Sequence, residues 1–236
     1  MANEKGITHL WNSFRYPVIF VLLLWIVHTI DWILPTVDFS SYGVYPRDIG
    51  GLKGVLFYPL LHGDYSHLFS NSVPLLVLGF IIFSSYRKVA VSTISIIYFL
   101  SGALVWIFAR PNFHIGASGL VYGFAFFVFF SGVFRRDVRS MALAMLVAFL
   151  YGGIVWGVLP IYEGVSFEGH LFGAFAGTLS AWMYRNVNRP VKKVWDEPKE
   201  PDLIVEDPFW VPAKPVEPTL DIDLQDLRDK YKDGLY

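Results

Sequence analysis

A chain of 236 residues with 54% hydrophobic and only 17% charged positions carries too little charge to cover a soluble domain of its size. Its formal net charge of -1 supplies no basic footprint, so no nucleic-acid partner is expected. The absence of cysteine excludes disulfides and thiolate metal sites.

The apolar residues come in blocks of roughly 16–20, near the length a helix needs to cross ~30 Å of hydrocarbon. Six candidate spans follow in chain order: 16–34, 67–83, 89–108, 117–134, 141–159 and 168–184. In lipid these must be helices, because no water is present to satisfy backbone groups. The alternating ten-residue pattern of an outer-membrane barrel does not occur. The first block exceeds a signal-peptide core and no small-x-small cleavage site clearly follows it, so it reads as a retained span. The connection from Pro35 to Ser66 is long, and long loops tend to be functional. It mixes Leu52, Val55, Leu56, Phe57, Tyr58, Leu60 and Leu61 with few charges, which places part of it in the interface. The expected organisation is a cytoplasmic N-terminus over 1–15, a six-span core over 16–186 and a tail over 187–236. The tail is rich in proline and carboxylates and reads as extended and solvated. Leu220, Leu224, Leu227 and Tyr231 recur at helical spacing, which leaves a short terminal helix, and a cytoplasmic partner for it, as a second reading.

Basic residues set the orientation. With the N-terminus inside, Lys5, Arg15, Arg87, Lys88, Arg135, Arg136, Arg139, Arg185, Arg189, Lys192 and Lys193 face inward, and only Arg47, Lys53 and Arg110 face outward. That asymmetry is the positive-inside pattern of a chain with both termini cytoplasmic.

Polar side chains inside spans are costly and therefore point to function. Gly116-Ala117-Ser118-Gly119 opens the fourth span. A serine there sits where helix amides favour developing negative charge, although an N-capping serine is the simpler reading of that residue alone. It is not the Gly-x-Ser-x-Gly elbow of soluble hydrolases, since the residue two past Ser118 is Leu120. His170 lies at the outer end of the sixth span within a ridge of Gly169, Gly173 and Gly177. Gly119 and Gly123 form a matching ridge on the fourth span, and such ridges let helices approach closely. Packed together, they would bring Ser118 and His170 to similar depth. Tyr122, one turn deeper on the face of Ser118, is placed to stack on the imidazole of His170 or to serve as an ordinary core aromatic. His67 and Asn71, four residues apart at the entry of the second span, share a face. They suit oxyanion donors, the alternative for Asn71 being an interhelical hydrogen bond. A metal site built from His62, His67 and His170 lacks a further ligand at fixed spacing, so no metal and no cofactor are expected.

With these motifs in hand, residues 16–186 resemble the rhomboid intramembrane proteases, an all-α, six-transmembrane-helix fold. The family's Gly-x-Ser-Gly pattern falls on Gly116, Ser118 and Gly119, and its His-x-x-Gly-x-x-x-Gly pattern on His170, Gly173 and Gly177. Its His-x-x-x-Asn falls on His67 and Asn71, and its tyrosine on Tyr122. The resemblance implies Ser118 as nucleophile, His170 as general base, His67 and Asn71 as oxyanion donors, and transmembrane proteins of the surrounding bilayer as substrates. It also implies cleavage in spans that unwind readily near the outer face, with small residues around the cut. The Trp-Arg pair of many members is missing between Pro35 and Ser66, which bears on the geometry of that loop. A bacterial inner membrane is the simplest setting. The alternatives are a catalytically silent relative that binds membrane proteins, and a small transporter. Against the transporter, no paired inverted repeat is visible and no acidic residue lies deep in a span.

Overall fold

The computed structural model describes residues 2–161 and 164–187. Contacts divide the chain into Met1–Val191 and Lys192–Tyr236; the expected tail, with its terminal helix, lies outside the described residues. The elements in order are α1 (Ala2–Ile33), a single turn α2 (Gly54–Phe57), α3 (Tyr65–Ser85), α4 (Ala90–Phe108), α5 (Ser118–Arg135), α6 (Val138–Tyr151) and α7 (Phe167–Met183). Every expected span is present as a helix. The first begins earlier than expected, because residues before Tyr16 continue α1 back to Ala2.

The chain is a multi-pass integral membrane protein. Among the described residues, five segments are long and apolar enough to cross a bilayer unaided: Leu10–Ile33, Tyr65–Ser85, Ala90–Phe108, Ser118–Arg135 and Val138–Val158. The sixth, α7, has 17 residues and packs against α4 and α5. Large apolar side chains such as Leu22, Ile26, Met145 and Phe149 point outward from α1 and α6, as a hydrocarbon solvent permits. Inside, buried hydroxyls bond back to their own helices. Ser72 donates to the carbonyl of Leu68 (2.7 Å) and Ser180 to that of Ala176 (2.8 Å), which satisfies each donor within its own helix, and the Ser72 oxygen also accepts from Nε1 of Trp25 on α1 (3.0 Å).

Local chemistry sets the helix ends. The Asp64 carboxylate accepts from the amide of His67 (2.8 Å) and starts α3. Asp137 does the same for α6 through Ser140 (3.0 Å), and Ser166 for α7 through Gly169 (3.2 Å). The fifth expected span, over 141–159, does not stay α-helical throughout. After Tyr151 the chain tightens into a 3₁₀ stretch, Gly152–Val158, where Gly152, Gly153 and Gly157 weaken helical preference.

The central contact is between α5 and α7. A Cβ placed on Gly173 would lie 2.0 Å from the carbonyl oxygen of Gly119, and one on Gly177 would lie 2.0 Å from that of Gly123. The two glycine ridges therefore pack backbone to backbone.

The loop between α1 and α3 folds onto this core without a Trp-Arg pair. Val44 and His114 exchange backbone hydrogen bonds (3.0 and 2.9 Å). Arg47, at φ 60, donates from its guanidinium to the carbonyl of Ala109 (2.8 Å), closing the end of α4, while Trp106 donates to the carbonyl of Asp48 (2.8 Å). On the opposite side, the buried Arg135 at the end of α5 binds Asp137, Ser140 and the carbonyl of Val187.

Gly173→Val is expected to lower stability by about 1–3 kcal/mol or more by forcing the ridges apart. Gly153→Ala, whose added carbon meets nothing within 4 Å, should leave stability unchanged. Thermal unfolding in detergent measures both, and equal effects would contradict the packing described.

Candidate active site

Ser118 is the first residue of α5, and Ala117 occupies the N-cap position with no side-chain cap hydrogen bond. The capping reading of the serine is thereby corrected: its hydroxyl is turned away from its own helix. It lies 2.8 Å from Nε2 of His170, on the first turn of α7. The approach of α5 and α7 produces this contact, since each residue sits at the N-terminal end of its helix, beside a glycine ridge.

The other ring nitrogen, Nδ1, lies 2.9 Å from the carbonyl oxygen of Gly157. A carbonyl can only accept, so Nδ1 carries the proton and Nε2 of the neutral ring presents its lone pair to the serine hydroxyl. Tyr122 stacks on the imidazole with centroids 4.1 Å apart and 5° between planes. His170 is 8% exposed. Its ring is thus held by a hydrogen bond at one edge and an aromatic face on one side.

The loop leading into Ser118 is pinned from below. The Gly116 amide donates to the carbonyl of Tyr58 (2.8 Å). The Ala117 amide donates to Nε2 of His62 (3.4 Å). His62 is almost fully buried, and burial, reinforced by the neighbouring His67, holds its pKa down at about 4, so it stays neutral and able to accept. Gly116 takes φ +109, and a Cβ there would lie 2.6 Å from Cε1 of His67. Only glycine satisfies both the backbone and the ring against it.

His67, on α3, packs against Gly116 of this loop, and Asn71 follows it one turn later on the same helix face. The Asn71 amide nitrogen is buried and has no hydrogen-bond partner among the described residues. A buried donor without a partner costs about 1–3 kcal/mol, which is unusual away from a ligand site. The arrangement can therefore activate a hydroxyl and receive a nearby negative charge. Among the described residues, no group of three His, Cys, Asp or Glu side chains is arranged to hold a metal ion.

The sequence motifs brought together by the fold are Ser118, His170, Tyr122, His67, Asn71 and Gly116, with Gly119 and Gly173 in the supporting ridge and Gly177 one turn below. Two participants carried no readable signal. Gly157 sits in an apolar run, and its part is played by a carbonyl and by the lack of a side chain: a Cβ there would lie 1.8 Å from the Tyr122 hydroxyl. His62 was visible as a histidine, but its role as acceptor for Ala117 depends on a contact across 55 residues.

Two outcomes are expected from this geometry. Gly157→Ala lowers the unfolding temperature by displacing Tyr122, and Tyr122→Phe in that background recovers part of the loss. His62, with its folded pKa below the ordinary histidine value of ~6.5, favours folding fully above that value and loses this contribution as pH falls toward about 4. His62→Gln should flatten stability between those limits, as pH-dependent thermal unfolding would register.

Comparison with known proteins gives the context for these residues. The rhomboid domain family matches residues 50–187. An uncharacterised protein of Mycobacterium tuberculosis is 38% identical over 173 residues, covering 70% of this chain and 72% of the relative. An uncharacterised protein of Mycobacterium bovis matches to the same extent. One of Mycobacterium leprae is 33% identical over 174 residues, covering 70% and 68%.

Proposed function

The chain belongs to the rhomboid family, and from that premise we propose that it is an intramembrane serine endopeptidase cutting transmembrane segments of other membrane proteins with a Ser118–His170 dyad. The observation that carries this reading is the 2.8 Å contact between the Ser118 hydroxyl and the unprotonated ring nitrogen of His170.

The chemistry follows from the groups in place. The Ser118 oxygen attacks the scissile carbonyl carbon while its proton passes to Nε2 of His170. The resulting imidazolium keeps its hydrogen bond to the Gly157 carbonyl and its stacking on Tyr122, so the ring does not turn as it gains charge. The oxyanion faces the Ser118 amide at the start of α5, the Asn71 amide nitrogen and the ring of His67. Collapse of this intermediate breaks the peptide C–N bond, and the leaving amine takes the proton from His170. Water, deprotonated by the same nitrogen, then hydrolyses the acyl-enzyme and regenerates Ser118.

A substrate helix shields its own peptide bonds, so the preferred segments are those that unwind near the outer face with small residues around the cut. The positive-inside pattern supports both termini in the cytoplasm and the dyad facing outward, in a bacterial inner membrane.

Full-length protein in detergent is expected to react with a fluorophosphonate probe, and Ser118→Ala and His170→Ala should each abolish labelling. Asn71→Ala should slow cleavage of a transmembrane reporter by ~10²–10³. Rates should also fall as acid protonates the base. An unlabelled wild type beside a labelled control rhomboid would favour a silent membrane-protein binder.

A further inference from the structure

We propose that His114 and Ser166 are positioning residues, forming a clamp one turn outside the dyad that sets the axial register of Ser118 against His170; this rests on the protease reading above. The glycine ridges fix how closely α5 and α7 approach, but a surface without side chains offers little resistance to sliding along the helix axis. Register needs a directional contact, and the structure provides one. His114 lies four residues before Ser118, and Ser166 lies four residues before His170. The Nδ1 atom of His114 is 2.6 Å from the Ser166 hydroxyl oxygen. Clamp and dyad are thus parallel rungs between the same two segments, both joining residues 52 apart.

The protons in the clamp can be assigned. Nε2 of His114 lies 3.1 Å from the Arg110 carbonyl oxygen, an obligate acceptor, so Nε2 carries the hydrogen. Nδ1 then accepts, and the Ser166 hydroxyl donates to it. The same Ser166 oxygen accepts from the Gly169 amide (3.2 Å) as the cap of α7. Every donor in the chain from Gly169 to Arg110 is used when His114 is neutral. Burial lowers the His114 pKa and favours that form.

The backbone of His114 is itself fixed by its exchange with Val44. Beside it, the Arg110 guanidinium pairs with the buried Glu168 carboxylate (3.1 Å) and donates to the Val165 carbonyl (2.8 Å). The loop before Ser118 is therefore joined to the start of α7 at two adjacent points. A shift of an ångström at the clamp would move the hydroxyl and ring nitrogen of the dyad out of hydrogen-bond reach, and such misplacement costs up to ~10² in rate.

The test compares fluorophosphonate labelling rates per folded molecule in full-length wild type, Ser166→Ala, Ser166→Thr and His114→Phe, with the folded fraction taken from thermal unfolding in the same detergent. Ser166→Ala and His114→Phe should each label about 10- to 10²-fold more slowly, the double variant no more slowly than the slower single variant. Ser166→Thr, which keeps the hydroxyl, should label near the wild-type rate. A role confined to stability would lower unfolding temperatures and leave the rate per folded molecule unmoved, which overturns the proposal. So would a Ser166→Thr variant as slow as Ser166→Ala. Ser118→Ala in parallel separates the two failures: if it labels like wild type, the protease reading falls, and this inference with it.

Discussion

The end of the bundle that carries Ser118 and His170 depends on α5 and α7 touching backbone to backbone. Between helices in lipid there is no hydrophobic drive, so association rests on close packing and polar contacts. Glycines at 119, 123, 173 and 177 permit that closeness, although each costs about 1 kcal/mol of helix preference relative to alanine. What the closeness returns is geometric. Ser118 and His170 stand at the outer ends of helices whose separation is set by main-chain atoms, which have no rotamers to relax. On the proposed reading, this contact sets the separation of the dyad, while the His114–Ser166 contact sets its register.

The His170 ring is held without a carboxylate. The proton on Nδ1 of His170 is fixed by the Gly157 carbonyl, which is available where α6 gives way to the 3₁₀ stretch. A glycine at that point also leaves room for the Tyr122 ring to lie flat on the imidazole. Carbonyl presentation and aromatic stacking are therefore two consequences of one residue. A neutral carbonyl stabilises an imidazolium less than a carboxylate would. It also avoids placing a charge where the membrane makes charge expensive.

Much of this was legible in the sequence because it is periodic. The spans are read from their length, the ridges from glycines four apart, and Tyr122 and Asn71 from their places one turn after Ser118 and His67. Motif and contact then coincide, since a helix converts spacing into direction. Legibility fails where a role belongs to the backbone or to a distant pairing. Nothing in an apolar run marks Gly157 as the acceptor for His170. Neither His62 nor Ser166 announces that it meets a loop more than 50 residues away. Ser118 shows the limit of reading a residue alone: an N-capping serine is the common case, yet the cap position fell to Ala117 and freed the hydroxyl.

The missing Trp-Arg pair shows the same distinction between a motif and the requirement it meets. Irregular backbone near a membrane must have its amides and carbonyls paired within the protein. Here Arg47 closes the carbonyl end of α4, Trp106 binds the Asp48 carbonyl, and Val44 pairs with His114. Those pairings fasten the first outer loop to the very segment that leads into Ser118, so the loop and the dyad share one set of anchors. Among the few buried polar atoms left without a partner in the described residues, the Asn71 amide nitrogen is the one on the face of α3 that carries His67. On the proposed reading, a donor kept buried and unmet makes energetic sense when its partner is the substrate, because its hydrogen bond then forms only as the oxyanion develops and lowers the barrier instead of the ground state.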